Sequence, residues 1–258
     1  MAHNVTKELD RSLGLTSVFS IAVGAMLGSG IFVLPGLAAA IAGPWVCLSY
    51  LVAGILVLPA LVSKAELATA MPVAGGTYVY VDRSMGTWMG TITGLGTWFS
   101  LSAKTSFALL GLSGYLMVFT DISPRVVSLS ILGLMVGLNL VGASKASFFQ
   151  NIVVFCCIIC FAIFVAMGVP VVDPALHTPA FPTGSAGILG GAAFVFVSYA
   201  GVTKICSVAE EIRNPSRNIP LGMITAQATV MLIYFTVGWV ITGTVEMDQL
   251  STNVAPVS

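Results

Sequence analysis

Seven long apolar segments fill most of this 258-residue chain, and nearly every charge is confined to the stretches between them. They cover about residues 15–42, 45–67, 86–119, 126–141, 148–169, 185–209 and 219–243. As a helix each can cross a hydrocarbon core of about 30 Å, the third with tilt or protrusion. Charged residues make up 8% of the chain, against about 25% in an ordinary soluble domain. The mean hydropathy is +1.01. A bilayer core holds no water to satisfy backbone N–H and C=O groups, so spans of this kind fold as helices. The sequence therefore predicts an all-α polytopic membrane protein.

Composition excludes several classes. A net charge of zero argues against nucleic acid as a partner. The polar tail, residues 1–14, leads into an apolar run too long for a cleaved signal peptide, so the first helix stays with the fold. The five cysteines, Cys47, Cys156, Cys157, Cys160 and Cys206, all lie inside apolar segments. Cys157 and Cys160 have the spacing of a redox or metal pair. With no His or acidic neighbour they read as small packing residues. His3 and His177 suggest no metal centre, and no cofactor is implied. No zinc motif, nucleophile elbow or P-loop is present, so the chain is not read as an enzyme.

Charge asymmetry orients the bundle. With the N-terminus inside, Lys7, Arg11, Lys64, Arg83, Lys145, Arg213 and Arg217 are cytoplasmic, and only Arg125 is outside. This is the positive-inside pattern of a multi-pass protein with a cytoplasmic N-terminus, expected in the plasma membrane. Small residues recur every fourth position at Ser20, Gly24 and Gly28, and at Gly86, Gly90 and Gly94. Ser20, Gly24, Gly86 and Gly90 are read as helix-packing contacts.

Two apolar segments are interrupted near mid-depth. One break is Gly28-Ser29-Gly30-Ile31-Phe32, the other Ser198-Tyr199-Ala200-Gly201. Unwound backbone at that depth is tolerated only where protein buries it or where it lines a cavity. Freed N–H groups at a half-helix N-terminus then suit an anion, and freed carbonyls suit a cation. Paired breaks of this kind read as the substrate site of a secondary transporter.

Three motifs then fall in order. Gly28-Ser29-Gly30-Ile31-Phe32 with Pro35 comes first. Glu66-Leu67-Ala68 follows, with Pro72, Gly75, Gly76, Tyr78 and Tyr80. Ala209-Glu210-Glu211 with Asn214, Pro215, Arg217 and Pro220 is the third. Together, across about residues 13–243, they resemble the signatures of the amino acid–polyamine–organocation (APC) permease superfamily. The resemblance implies a leucine-transporter-like fold of two inverted five-helix repeats, with helices one and six broken. Residues 15–169 would form the first repeat, 170–184 an extracellular loop, 185–243 the first two helices of the second repeat, and 244–258 an extracellular tail. A chain stopping there is expected to be truncated after the seventh helix, with the missing helices or a partner chain closing the bundle. The implied activity is transport of an amino acid, an L-amino acid by expectation, through alternating access, proton-coupled or by exchange. The alternative is a non-transporting fragment or an assembly subunit of a larger membrane complex.

The resemblance also implies a substrate position between the breaks. The carboxylate would meet backbone around Ser29, Gly30 and Ile31, beside Gly28. The ammonium would meet carbonyls near Met26, Val197 and Ala200, with Ser198, Tyr199 and Gly201 completing the second break. Tyr199 falls near the family's aromatic gate.

Two lysines lie within apolar segments. Lys104 is about fifteen residues from either end of its segment, roughly 22 Å along a helix, too far to reach water. Thr93, Thr97 and Ser100 share its face and look like the lining of a polar cavity. Lys104 has three open readings: a structural cation on helix-break carbonyls, a lysine partly neutral in the low-dielectric interior, or one paired with a group beyond this chain. Lys204 is near enough to its helix end to snorkel. The lysine that some relatives carry in helix five is absent here, where the sequence reads Phe155-Cys156-Cys157, and Thr203 stands where others have a glutamate. Lys104 or Lys204 is thus the candidate for proton coupling. The absence of a carboxylate near the breaks favours neutral substrates, although Lys104 could attract an acidic one. Glu66, Glu210 and Glu211 read as solvated loop charges, with inner-gate ion pairs the other possibility.

Overall fold

The computed structural model describes residues 11–117, 122–140, 143–179, 182 and 184–245. Most of the two tails, residues 1–10 and 246–258, lies outside the described residues.

Among the described residues the regular structure is helical, apart from one isolated parallel bridge between Leu13 and Ile212. Nine α-helices follow in order: α1 (Leu15–Phe32), α2 (Leu34–Ala42), α3 (Val46–Ala70), α4 (Thr77–Met85), α5 (Thr87–Met117), α6 (Pro124–Leu140), α7 (Ala143–Gly168), α8 (Gly184–Tyr199) and α9 (Pro215–Thr244). A 3-10 segment, Ala200–Glu211, continues α8 without a loop. Among the described residues four helical stretches are long and apolar enough to cross a membrane: Val46–Ala70, Ser147–Val171, Gly184–Glu211 and Pro215–Thr244. The chain is an integral, all-α polytopic membrane protein.

Local sequence explains most of the boundaries. Pro35 sits in the first turn of α2, where a missing N–H is harmless. Pro215 does the same for α9. Pro59 lies inside α3, and the Ser63 hydroxyl donates to its carbonyl at 2.9 Å.

Between α3 and α5 the chain forms α4, a short helix carrying Asp82 and Arg83 at the end of the bundle. One local expectation changes. Gly86 is not a packing contact. It has φ +88 in the turn between α4 and α5, and a side chain there would meet nothing within 4 Å. Its role is conformational, since a β-carbon disfavours positive φ. The other small residues do make contacts. Gly24 faces Gln150 and Val154 of α7, Gly90 faces Asp82, and Gly94 faces Tyr78.

The core lies among α1, α3, α8 and α9. α9 packs along α3 and α1, and α8 packs on α3. Met26, Ile31, Tyr50, Val195, Tyr199 and Tyr234 are fully buried there. Gly191 allows α8 to approach α3 closely, because a β-carbon would collide with Ser49 and Ala42. The Ser49 hydroxyl donates to the Ile188 carbonyl across this contact, at 2.9 Å. α5 and α6 flank the core and leave large side chains such as Trp98, Phe99 and Leu134 exposed.

Both ends of the core are strapped. At the end carrying α4, the Leu13 N–H donates to the Glu211 carbonyl and the Arg213 N–H donates to the Leu13 carbonyl. At the other end, His177 is buried in a connecting segment, stacked on Trp239 at 5.6 Å and tilted against Trp45. The Trp45 indole N–H donates to the His177 carbonyl at 3.2 Å.

Candidate functional site

The first break is a single non-helical residue. Gly28 has φ −23 and ψ −123, and helix resumes on either side of it. A β-carbon at Gly28 would find room, its nearest neighbour being Ala108 Cβ at 4.0 Å. Glycine there serves the backbone and not the space.

The second interruption takes another form. α8 does not open into a loop at Ser198-Tyr199-Ala200-Gly201. It tightens at Ala200 into twelve residues of 3-10 helix. Runs beyond three or four residues of 3-10 are uncommon and, mid-helix, often mark strain or a hinge. Tighter winding narrows the segment and shifts its register, and this brings Gly201 onto the first break. A β-carbon on Gly201 would collide with the Ala25 carbonyl and the Met26 nitrogen. Gly30 faces the same junction, where a β-carbon would run into the Tyr234 hydroxyl and Ser198.

Three carbonyls around Gly28 accept hydrogen bonds from side chains of other helices. Lys104 Nζ donates to the Ala25 carbonyl at 2.8 Å. The Tyr234 hydroxyl donates to the Met26 carbonyl at 2.7 Å. The Tyr50 hydroxyl donates to the Gly30 carbonyl at 2.8 Å, and the Tyr199 hydroxyl to the Tyr50 carbonyl at 2.9 Å. The rings form one cluster: Tyr50 and Tyr234 lie 4.9 Å apart, and Tyr199 meets Tyr234 edge-on at 5.2 Å. Each phenol thus combines aromatic packing with the hydrogen bond that burial demands. Gln227 of α9 is also buried, donating to the Gly54 carbonyl at 3.1 Å.

The sequence-predicted residues divide accordingly. Met26, Gly30, Ile31, Ser198, Tyr199 and Gly201 are buried at the junction. Gly28 is half-buried at the break itself. The Ser29 side chain lies outside the described residues. Val197 and Ala200 turn their side chains outward, so only their backbone can serve the junction. Lys104 joins it through Ala25, whereas Lys204 is exposed. Thr93, Gly96, Thr97, Ser100 and Leu101 of α5 line an open groove of about 320 Å³ with Ala200 and Thr203. It borders the second interruption, and no carboxylate lines it.

Sequence reasoning missed Tyr50, Tyr234 and Gln227. The signal was available, since a phenol or amide in mid-span must find a partner. It also missed how the end carrying α4 closes. The Glu210 carboxylate accepts the Ala74 N–H at 3.0 Å, instead of joining an ion pair. Gly76, with φ +57, presses on Ser207 of the 3-10 segment. Tyr80 is buried there beside Cys206, and burial pushes its phenol pKa well up.

A membrane-embedded bundle in which two interrupted helices meet around a buried polar cluster has the organisation of a transport protein. The chain belongs to the amino acid permease family, within the APC superfamily, and matches the family pattern over residues 13–257. It is 29% identical to the branched-chain amino acid permease BcaP of Bacillus subtilis, over 98% of this chain and 59% of that protein. It is 28% identical to the methylthioribose transporter of the same organism, over 97% of this chain and 59% of that one. Cationic amino acid transporter 8, vacuolar, of Arabidopsis thaliana is 27% identical over 91% of this chain and 43% of its own length. The chain therefore spans about half the length of these relatives.

Proposed function

We propose that this chain carries the substrate site of a secondary amino-acid transporter that works by alternating access. The observation that carries the reading is the junction itself, where Gly201 lies directly on the Ala25–Met26 backbone. One movement of either half-helix then alters both sides of the site. The substrate carboxylate is assigned to the N–H groups around Ser29, Gly30 and Ile31, at the start of the half-helix after Gly28. The ammonium is assigned to carbonyls near Met26, Val197 and Ala200. The Met26 carbonyl already accepts one hydrogen bond, from Tyr234, but a carbonyl oxygen has a second lone pair. The hydroxyl-lined groove takes the substrate side chain. Its lack of a carboxylate favours a neutral L-amino acid.

In this reading residues 15–169 are the first inverted repeat and residues 185–243 open the second. The N-terminus is cytoplasmic and the membrane is the plasma membrane. Exposed hydroxyls on α5, at Thr97 and Ser100, support a covering set of helices, from the same polypeptide or a partner chain, because lipid satisfies no hydroxyl. Transport is proton-coupled or an exchange. For the coupled case Lys104 is favoured over Lys204, since its ammonium sits on the first break. Enlarging Ser29 or Gly30 to Leu should abolish amino-acid binding, measured by equilibrium dialysis on the full natural polypeptide. Unchanged binding would overturn the assignment.

A further inference from the structure

A second groove lies away from the helix breaks, where α3 ends and α4 begins. It has a volume of about 360 Å³ and is lined by Lys64, Leu67, Met71, Thr77, Tyr80, Val81, Arg83 and Ser84. Two cations and three hydroxyl-bearing side chains, Thr77, Tyr80 and Ser84, therefore share a wall with apolar side chains. Neither Glu66 nor Asp82 lines it, and the Asp82 backbone and β-carbon face Gly90 of α5. Among the described residues the only hydrogen bond of Arg83 runs to the thioether sulfur of Met71, at 3.4 Å. A guanidinium has five donors matched to oxyanion geometry, so most of its capacity is free.

The depth of the groove identifies the class of ligand. Lys64 lies eighteen residues after Val46, about 27 Å along α3 at 1.5 Å per residue. That is close to the thickness of the hydrocarbon core, about 30 Å, so its ammonium reaches headgroup level. Leu56, Ala60, Lys64 and Leu67 recur at helical spacing on one outward face of α3. Leu56 is 58% exposed and Leu67 40%. An apolar track thus runs from the cation pair toward the middle of the bilayer.

We infer that this groove binds an anionic phospholipid, its phosphate between Lys64 and Arg83 and an acyl chain along Leu56 and Ala60. The inference rests on the chain being a membrane protein and not on any transport reading. Basic pockets beside membrane helices attract such headgroups, each Lys or Arg contributing about fivefold in affinity.

The test uses the full polypeptide in neutral detergent, titrated with dioleoyl-phosphatidylglycerol and followed by native mass spectrometry and thermal unfolding. Retained lipid and a rise in the unfolding midpoint are expected with phosphatidylglycerol and not with phosphatidylcholine. The double variant Lys64→Gln/Arg83→Gln should bind about 30-fold more weakly, and the single variant Arg83→Gln, at an exposed site, about fivefold. Soluble glycerol 3-phosphate should give no stabilisation. Equal retention of both lipids, undiminished binding by Arg83→Gln, or equal stabilisation by glycerol 3-phosphate would each overturn the inference.

Discussion

Replacing Gly201 by alanine tests whether contact between the two interruptions is what makes the site. The added carbon would lie 2.7 Å from the Met26 nitrogen and closer still to the Ala25 carbonyl. Ordinary contact begins near 3.4 Å, and the Ala25 carbonyl oxygen is the closest atom, so one backbone must retreat by roughly 1 Å or more. The atoms in the way are main chain, and no side-chain rotation relieves them. Overpacking of this kind costs about 1–3 kcal/mol. A displacement approaching 1 Å among positioned groups can lower activity by about 10²-fold. The expected outcome is a protein that still folds, with a lower unfolding midpoint and amino-acid binding weakened roughly 10- to 100-fold. Binding of radiolabelled substrate to the purified full polypeptide and uptake into proteoliposomes would measure it. Gly133→Ala is the control, because nothing lies within 4 Å of a β-carbon there, and an exposed helix interior gains slightly from alanine. If Gly201→Ala binds within twofold of the parent while Gly133→Ala does the same, the junction is not the site.

Other perturbations follow from the same contacts. Tyr234→Phe keeps the ring packing but strips the Met26 carbonyl of its donor. It should destabilise the protein by about 1–3 kcal/mol, read from unfolding in detergent. Lys104→Met removes the ammonium from the Ala25 carbonyl. If Lys104 couples protons, pH-dependent uptake becomes flat in this variant and persists in Lys204→Met; unaltered pH dependence in Lys104→Met would exclude it. Glu210→Ala deletes the acceptor for the Ala74 N–H. It should raise labelling of the buried Cys206 by thiol reagents several-fold, while Glu210→Gln, which keeps an acceptor oxygen, restores protection.

The parts of this architecture legible from sequence were those set by the bilayer. Apolar length gave helices, and Gly28 with its neighbours gave the first break, because a glycine-flanked serine in mid-span has a backbone consequence independent of any partner. The second interruption was legible in place but not in form. Whether Ser198-Tyr199-Ala200-Gly201 unwinds or tightens depends on what it meets, and it meets the first break. Tyr50, Tyr234 and Gln227 escaped for a related reason. Each sits on a different helix, and their shared purpose appears only once α3 and α9 are placed side by side. Gly86 misled because a four-residue repeat of glycines looks like a packing stripe whether or not a turn falls within it.

The two ends of the 3-10 segment are held in different ways, and this bears on how the junction could move. At Gly201 the segment meets the first break by steric contact, and among the described residues no backbone hydrogen bond joins it to Ala25; the nearest tie at this end is the Tyr199 hydroxyl on the Tyr50 carbonyl. At Glu210 and Glu211 it is tied by directional bonds to two other segments, the turn before α4 and the strand-like residues around Leu13. Steric contact resists compression but not separation, whereas hydrogen bonds resist separation. A half-helix so arranged swings most easily about its tied end, opening at the junction while the α4 end stays closed. Opening at the α4 end instead requires breaking the Ala74–Glu210 bond and the Leu13 pairings together. In the proposed alternating-access reading the tied end is the one that must yield for a site at the junction to exchange sides, and Glu210 is one of the side chains that hold it, beside the Leu13 backbone pairings.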